Sequence, residues 1–299
     1  RTYAESKTII ESVGRLAMAT GDDLKSTANI VTKIFTALKI DAKNTEQILD
    51  TLHSTALMTA TDMGKLGEAY KNVGASLSSF VEMSDLTGES LDNYKQSLIE
   101  LGNTSLGIFA NMGKSASNSG VLVRNLTTKM IALEKTAKNM LTEDIAGKVF
   151  YGTESVDTTN KAGEPITTKE IKISFDEASA KTSLDNVREL TIDTLQQIAK
   201  QDLPKAVEIF SELYSKGLIR TETMMKMFTV RQGAATASLF SQMGAGYEEL
   251  NQYINHSRKV QEDYEKQLNN INNQLKIFHN NIFELGKGAG AYLLDSMNT

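Results

Sequence analysis

The chain has 299 residues, enough for one large domain or two ordinary ones. Its 32 basic and 37 acidic side chains leave a net charge of −5, which does not predict a nucleic-acid-binding surface. Cysteine is absent, which excludes disulfides and thiolate metal sites, and prolines are confined to Pro165 and Pro204, as suits a mostly helical chain.

The chain opens on Arg1 rather than methionine, so we expect a longer parent chain around it. The first residues carry no apolar signal-peptide core. The longest uncharged run, Gln232 to Tyr247, is too short and too polar to span a bilayer.

In chain order, Ile9, Ile10, Val13, Leu16 and Ala17 recur at helical spacing, and Thr20-Gly21 ends that helix. Asp22 is the expected cap of a second helix bearing Leu24, Ala28, Val31, Ile34, Phe35 and Leu38. A third carries Ile48, Leu49, Leu52, Ala56 and Leu57. Thr61 and Asp62 open a fourth through Leu66, Ala69, Tyr70 and Val73, which Gly74 is expected to interrupt. After the turn "DLTGES", Leu91, Tyr94, Leu98 and Leu101 predict a helix ending at Gly102. "GKSASNSG" reads as a polar loop or the start of a helix, followed by helical Val123, Leu126, Met130 and Leu133.

The period changes between Gly147 and Phe175. "KVFYG" is β-prone, "KEIKISF" alternates with period two, and "DTTNKAGEP" between them is turn chemistry. A β-hairpin is predicted at about 147–176, leaning on a helix or a neighbouring chain because two strands alone are marginal. Helix is expected again from about Ser183, with Leu184, Val187, Leu190, Leu195 and Ile198 on one face. Asp202 caps the next helix, Pro204 sits in its first turn and Gly217 ends it; Thr221 is the expected cap of "ETMMKMF".

Toward the C-terminus, Val260, Tyr264, Leu268, Ile271, Leu275, Phe278, Ile282 and Leu285 step by 4, 4, 3, 4, 3, 4 and 3. After the first step this is an a/d seam of about three heptads with polar faces beside it. Two readings are open: a coiled-coil seam that joins copies of the chain, or a long helix lying on this chain's own core. The expected fold is mainly α: a multi-helix domain over 1–256 with the inserted hairpin, then a long coiled-coil-like helix and tail over 257–299.

Candidate chemistry is sparse. His53, His256 and His279 belong to no metal-binding pair, and surface or partly packed imidazoles are expected. Asp22-Asp23 and Glu248-Glu249 stand at helix starts, where they complement the dipole. No phosphate loop, dinucleotide fingerprint or nucleophile elbow is present, so no catalytic, cofactor or metal residue is assigned. In "MFTVRQGAATASLF" an anion loop would need a preceding strand. Close helix packing is the reading favoured, with Phe228 and Phe240 buried and Gly233 to Ala237 against another helix. Arg231 is expected beside a carboxylate or a helix C-terminus.

Several stretches in order resemble the core region of tail tape measure proteins of long-tailed bacteriophages. They are "TGDDLKSTANIVTKIFTALKIDAKNTEQILDTLHSTALMTATDMGKLGEAYKNVG", "LTGESLDNYKQSLIELGNTS", "GKSASNSGVLVRNLTTKM" and "MFTVRQGAATASLF". The last is similar to a segment usually written Leu-Phe-Gly-Lys-Arg-Gly-Ala-Ala-Ala, with Phe228, Arg231, Gly233, Ala234 and Ala235 in place. Thr229-Val230 replaces the usual glycine-lysine, Gln232 intervenes, and the hairpin region is longer than in the family. The resemblance covers about Thr20 to His256, without the hairpin.

The resemblance implies a structural protein rather than an enzyme. It would set tail-tube length during assembly in the bacterial host cytoplasm, reside in the tail or baseplate interior of the virion, and leave ahead of the DNA. It implies a homo-oligomer, trimer or hexamer, with tail tube, baseplate hub and tail assembly chaperone proteins as partners. It implies no cofactor, no sequence-specific nucleic-acid binding and no membrane span in this segment. The competing expectations are a helical adaptor or scaffolding module using the same seam and a tail-associated hydrolase.

Overall fold

The computed structural model describes residues 3–37, 40, 44–84, 86–159, 165–244, 247–257, 259–272 and 274–275. Thirteen helices and one three-stranded sheet are defined among them. The first group is α1 (Tyr3–Thr20), α2 (Leu24–Ala37), α3 (Thr45–Met58), α4 (Met63–Met83), α5 (Gly88–Asn111), α6 (Ala116–Ile131) and α7 (Lys135–Ile145). The sheet region follows, with β1 (Phe150–Thr159), β2 (Pro165–Ser174), α8 (Glu177–Ser183) and β3 (Asp185–Glu189). Then come α9 (Ile192–Gln201), α10 (Leu203–Ser215), α11 (Thr221–Met227), α12 (Val230–Met243) and α13 (Tyr247–His256). A further helical stretch runs over 260–272. The fold is therefore mainly α with a small inserted β region, as its sequence pattern indicates.

Local chemistry sets many of the helix starts. The Asp62 carboxylate accepts the Lys65 N–H at 2.8 Å, and Asp202 accepts the Lys205 N–H at 3.0 Å ahead of Pro204. Asp23, not Asp22, holds the first turn of α2, through the Ser26 N–H at 2.8 Å. Thr221 is the first residue of α11 rather than its cap, which is Arg220. Gly74 does not break α4, and α5 runs through Gly102 to Asn111. Both glycines are buried on faces packed against neighbouring helices, so tertiary contact outweighs their poor helix propensity.

One apolar core joins the body. Phe35, Phe80, Phe109, Phe210, Phe228 and Phe240 are its largest fully buried side chains. The middle of the body is α4, which packs against α2, α3, α5, α6 and α9. Its crossing with α6 is the closest. A Cβ at Gly120 would lie 2.3 Å from the Ala69 carbonyl oxygen, so only glycine lets the two backbones meet there.

The predicted hairpin is present and gains a third strand. β1 pairs antiparallel with β2 from Phe150↔Ser174 to Thr159↔Pro165, and with β3 on its other edge, in the order β2-β1-β3. The expectation of helix from about Ser183 is corrected. Helix occupies Glu177–Ser183, 185–189 is strand, and helix begins again only at Ile192. Leu184, Val187 and Leu190 are spaced by three, which imitates a helix face, but the Asn186 backbone turns to φ +55 and the segment pairs with β1 instead. Tyr151, Ile171, Ile173 and Phe175 lean from the sheet on to the helical core. The sheet is thus supported by the body, as a small sheet requires.

Candidate functional site

Two features singled out by sequence pattern fall in separate places: the C-terminal seam and the α11–α12 corner.

The seam begins on the chain's own core. Val260 is buried at 7% exposure and belongs to the core cluster. Its backbone N–H, free at the start of a helix, donates to the Asp50 carboxylate of α3 at 2.8 Å. One turn on, the Asp263 carboxylate meets His53 Nε2 at 3.0 Å, and the His53 side chain is fully buried. Arg15 of α1 donates to Gln261 at 3.1 Å and to Glu46 at 2.8 Å. Just before, the Ser257 N–H donates to Ser54 Oγ at 3.0 Å. These contacts form a polar clasp on the first turn of the C-terminal helix. Burial raises the Asp50 carboxyl above its ordinary range, opposed by the Val260 N–H, Lys259 and His53.

Beyond the clasp the apolar residues are progressively uncovered. Tyr264 and Leu268 are half-buried, Ile271 is 42% exposed and Leu275 is 58% exposed. Phe278, Ile282 and Leu285 lie outside the described residues. The seam as spaced in the sequence is therefore divided: its first residue is spent on the core, and Ile271 and Leu275 face outward.

Helix α13, immediately upstream, docks through a buried amide and hydroxyl network. Asn255 Nδ2 donates to Thr104 Oγ1 and Asn251 Oδ1, both at 2.8 Å, and Thr104 donates to Asn251 Oδ1 at 2.9 Å. Gln96 Nε2 donates to Thr51 Oγ1 and to Glu100 Oε1, each at 2.7 Å. His256 Nε2 donates to Glu100 at 3.3 Å. Burial alone would raise the Glu100 carboxyl, but the bonds from His256, Gln96 and Asn251 hold it below its usual range. Glu100 in turn raises His256. So His53 and His256 are partnered by carboxylates, the first deep in the body; His279 lies outside the described residues.

At the α11–α12 corner, Phe228 and Phe240 are buried, and Phe240 packs against Phe210 of α10 in a tilted ring pair with centroids 4.9 Å apart. A Cβ at Gly233 would lie 2.9 Å from Met225 Cα and Sδ, so α12 rests directly on α11. Ala235 and Ala237 are buried, whereas Ala234 is exposed. The Arg231 side chain lies outside what the structure describes. Between the helices Thr229 takes φ +51, ψ 153. That region is almost reserved for glycine, and a β-branched side chain there is strained. The similar tape measure segment has glycine at this position.

Among the described residues no group of three His, Cys, Asp or Glu side chains could hold a metal ion. Among them, too, no helix is long and apolar enough to cross a membrane. What the geometry offers is packing and docking surface.

Against known proteins, the model of the phage-related minor tail protein family matches residues 2–240. The chain belongs to that family, and it is a structural component of a phage tail, hence of the virion. No curated protein and no solved structure matches it.

Two outcomes are expected. Asp50→Ala frees the Val260 N–H and should cost about 1 kcal/mol, the usual value of a helix cap. Hydrogen exchange should then speed up at 260–272 before α4 is affected. Thr229→Gly should stabilise the chain by about 1 kcal/mol, read as a higher melting temperature, because the strained backbone is relieved.

Proposed function

We propose that this chain is a segment of a tape measure protein, which sets tail-tube length during assembly and leaves the tube ahead of the DNA. Membership of the phage-related minor tail family supports the tail role. The ordered resemblance over Thr20 to His256 supports the finer one. The observation that carries it is the outward face of Ile271 and Leu275 on the C-terminal helix. Exposed apolar residues at heptad spacing favour burial against another helix of the same kind. Copies of the chain meet along this face, while Val260 and the clasp fix where each helix leaves its own body.

On this reading the assembly is a trimer or hexamer along the tail axis. Its partners are the tube protein around it, chaperones that cover it before the tube forms, and the baseplate hub at its end. Its work is mechanical rather than catalytic: the helical rod is a ruler, and the body a block carried within it. Assembly takes place in the host cytoplasm.

Length is the direct test. Inserting ten heptads after Leu285 in the parent gene adds about 70 residues, or about 105 Å of helix at about 1.5 Å per residue. Tails measured in electron micrographs should lengthen by that order. Tails of unchanged length would overturn the tape measure reading.

A further inference from the structure

Two histidine–carboxylate pairs bracket the passage from α13 to the C-terminal helix. At its start His256, in the last turn of α13, lies 3.3 Å from Glu100 of α5. At its end Asp263, in the first turn of the C-terminal helix, lies 3.0 Å from His53 of α3. In one pair the body supplies the carboxylate, in the other the imidazole. Histidine is the side chain whose ordinary charge change falls between about pH 5 and 8. Both histidines among the described residues therefore stand where their charge bears on how the C-terminal helix is attached.

The pairs differ in what a proton does. His53 is fully buried, and its Nδ1 has no hydrogen-bond partner. A neutral ring with its proton on Nε2 already donates to Asp263, and a second proton on Nδ1 would find no acceptor. That pair holds without charge. The His256 side chain is 36% exposed, so water can deliver or remove its proton, whereas Glu100 is only 13% exposed. Gln96 Nε2 holds the Glu100 carboxylate in place from 2.7 Å. A charged His256 also sits at the C-terminal end of α13, where the helix dipole favours a cation.

Charges on the neighbouring elements are committed elsewhere or add to the pair. Glu248 of α13 adds to the attraction. On α3, Asp50 is bonded to the Val260 N–H, Glu46 to Arg15 and His53 to Asp263, while Lys259 acts on Asp50. Helix α12 has no charged side chain among the described residues. The bond to Glu100 holds His256 above the ordinary histidine range, against the opposing effect of burial. Glu100, despite its burial, is held below the carboxylate range by bonds from His256 and Gln96. Glu100 therefore stays ionised while His256 titrates. The pair's contribution is complete below the ordinary histidine value of about 6.5 and is lost as pH rises through the raised one.

We propose that His256 and Glu100 form a pH-sensitive latch, which fastens α13 and the start of the C-terminal helix to α5 when the imidazole is charged and loosens them when it is neutral. The latch belongs to this junction and does not rest on the tape measure reading.

Hydrogen exchange of the 299-residue chain at pH 6 and pH 8.5, corrected for the intrinsic pH dependence of exchange, tests it. Protection of the amides of α13 and of 260–272 should fall by about two- to fivefold at the higher pH, with α4 unchanged; that is the size expected of one part-exposed ion pair at a helix end. His256→Gln keeps a donor but cannot titrate, so its protection there should be equal at the two pH values. A ring-proton NMR titration of the native chain supplies the test if the variant does not fold: His256 should titrate above the ordinary histidine range. A native chain without the fall, a fall that persists in His256→Gln or is shared equally by α4, or a His256 ring that titrates in or below the ordinary range would each overturn the proposal.

Discussion

Helix backbones in this protein must come very close, and the crossing of α4 with α6 sets the pattern. With no tryptophan, the core is filled chiefly by Leu, Ile and Val around six buried phenylalanines. Glycine is used where two helix backbones meet. Position 120 has no side chain because the Ala69 carbonyl stands where it would be. From that contact α4 reaches α2, α3, α5 and α9, and so organises the body on which α13 and the C-terminal helix are mounted. The same device recurs at Gly233, where α12 rests on α11.

The C-terminal helix is held at its first turn by directional contacts, Asp50 to the Val260 N–H and His53 to Asp263, and then presents apolar side chains outward. Such a join fixes where the helix starts and leaves its face open for another helix. Helix α13 is attached by buried amides and hydroxyls as well as by Tyr247 and Ile254. A buried polar network of that kind is costly if mispaired, so it specifies one seating for α13.

Much of the fold could be read from the residues. Periodicity located most of the helices, Asp62 and Asp202 marked two of their starts, and alternation in "KEIKISF" marked β2. What escaped was decided by contacts between distant segments. Leu184, Val187 and Leu190 satisfy a helix template, and only pairing with β1 makes 185–189 a strand. Gly102 looks like a stop, but burial against Tyr70 carries α5 through it. The heptad spacing was legible as a pattern; its division between core and surface was not. That division rests on Asp50 and His53, each 210 residues from its partner and without any local signature. The pair of His256 with Glu100 was invisible for the same reason, since α5 and α13 are distant in the chain.

The proposed assembly requires that the uncovered face of the C-terminal helix join copies of the chain. Sedimentation equilibrium of the 299-residue chain beside its Ile271→Asp/Leu275→Asp variant measures this directly. The native chain should have a mass at a multiple of 32.8 kDa and the variant 32.8 kDa, with the body equally folded in both. A native chain that sediments as a single copy at every concentration, or a variant of undiminished mass, would contradict it.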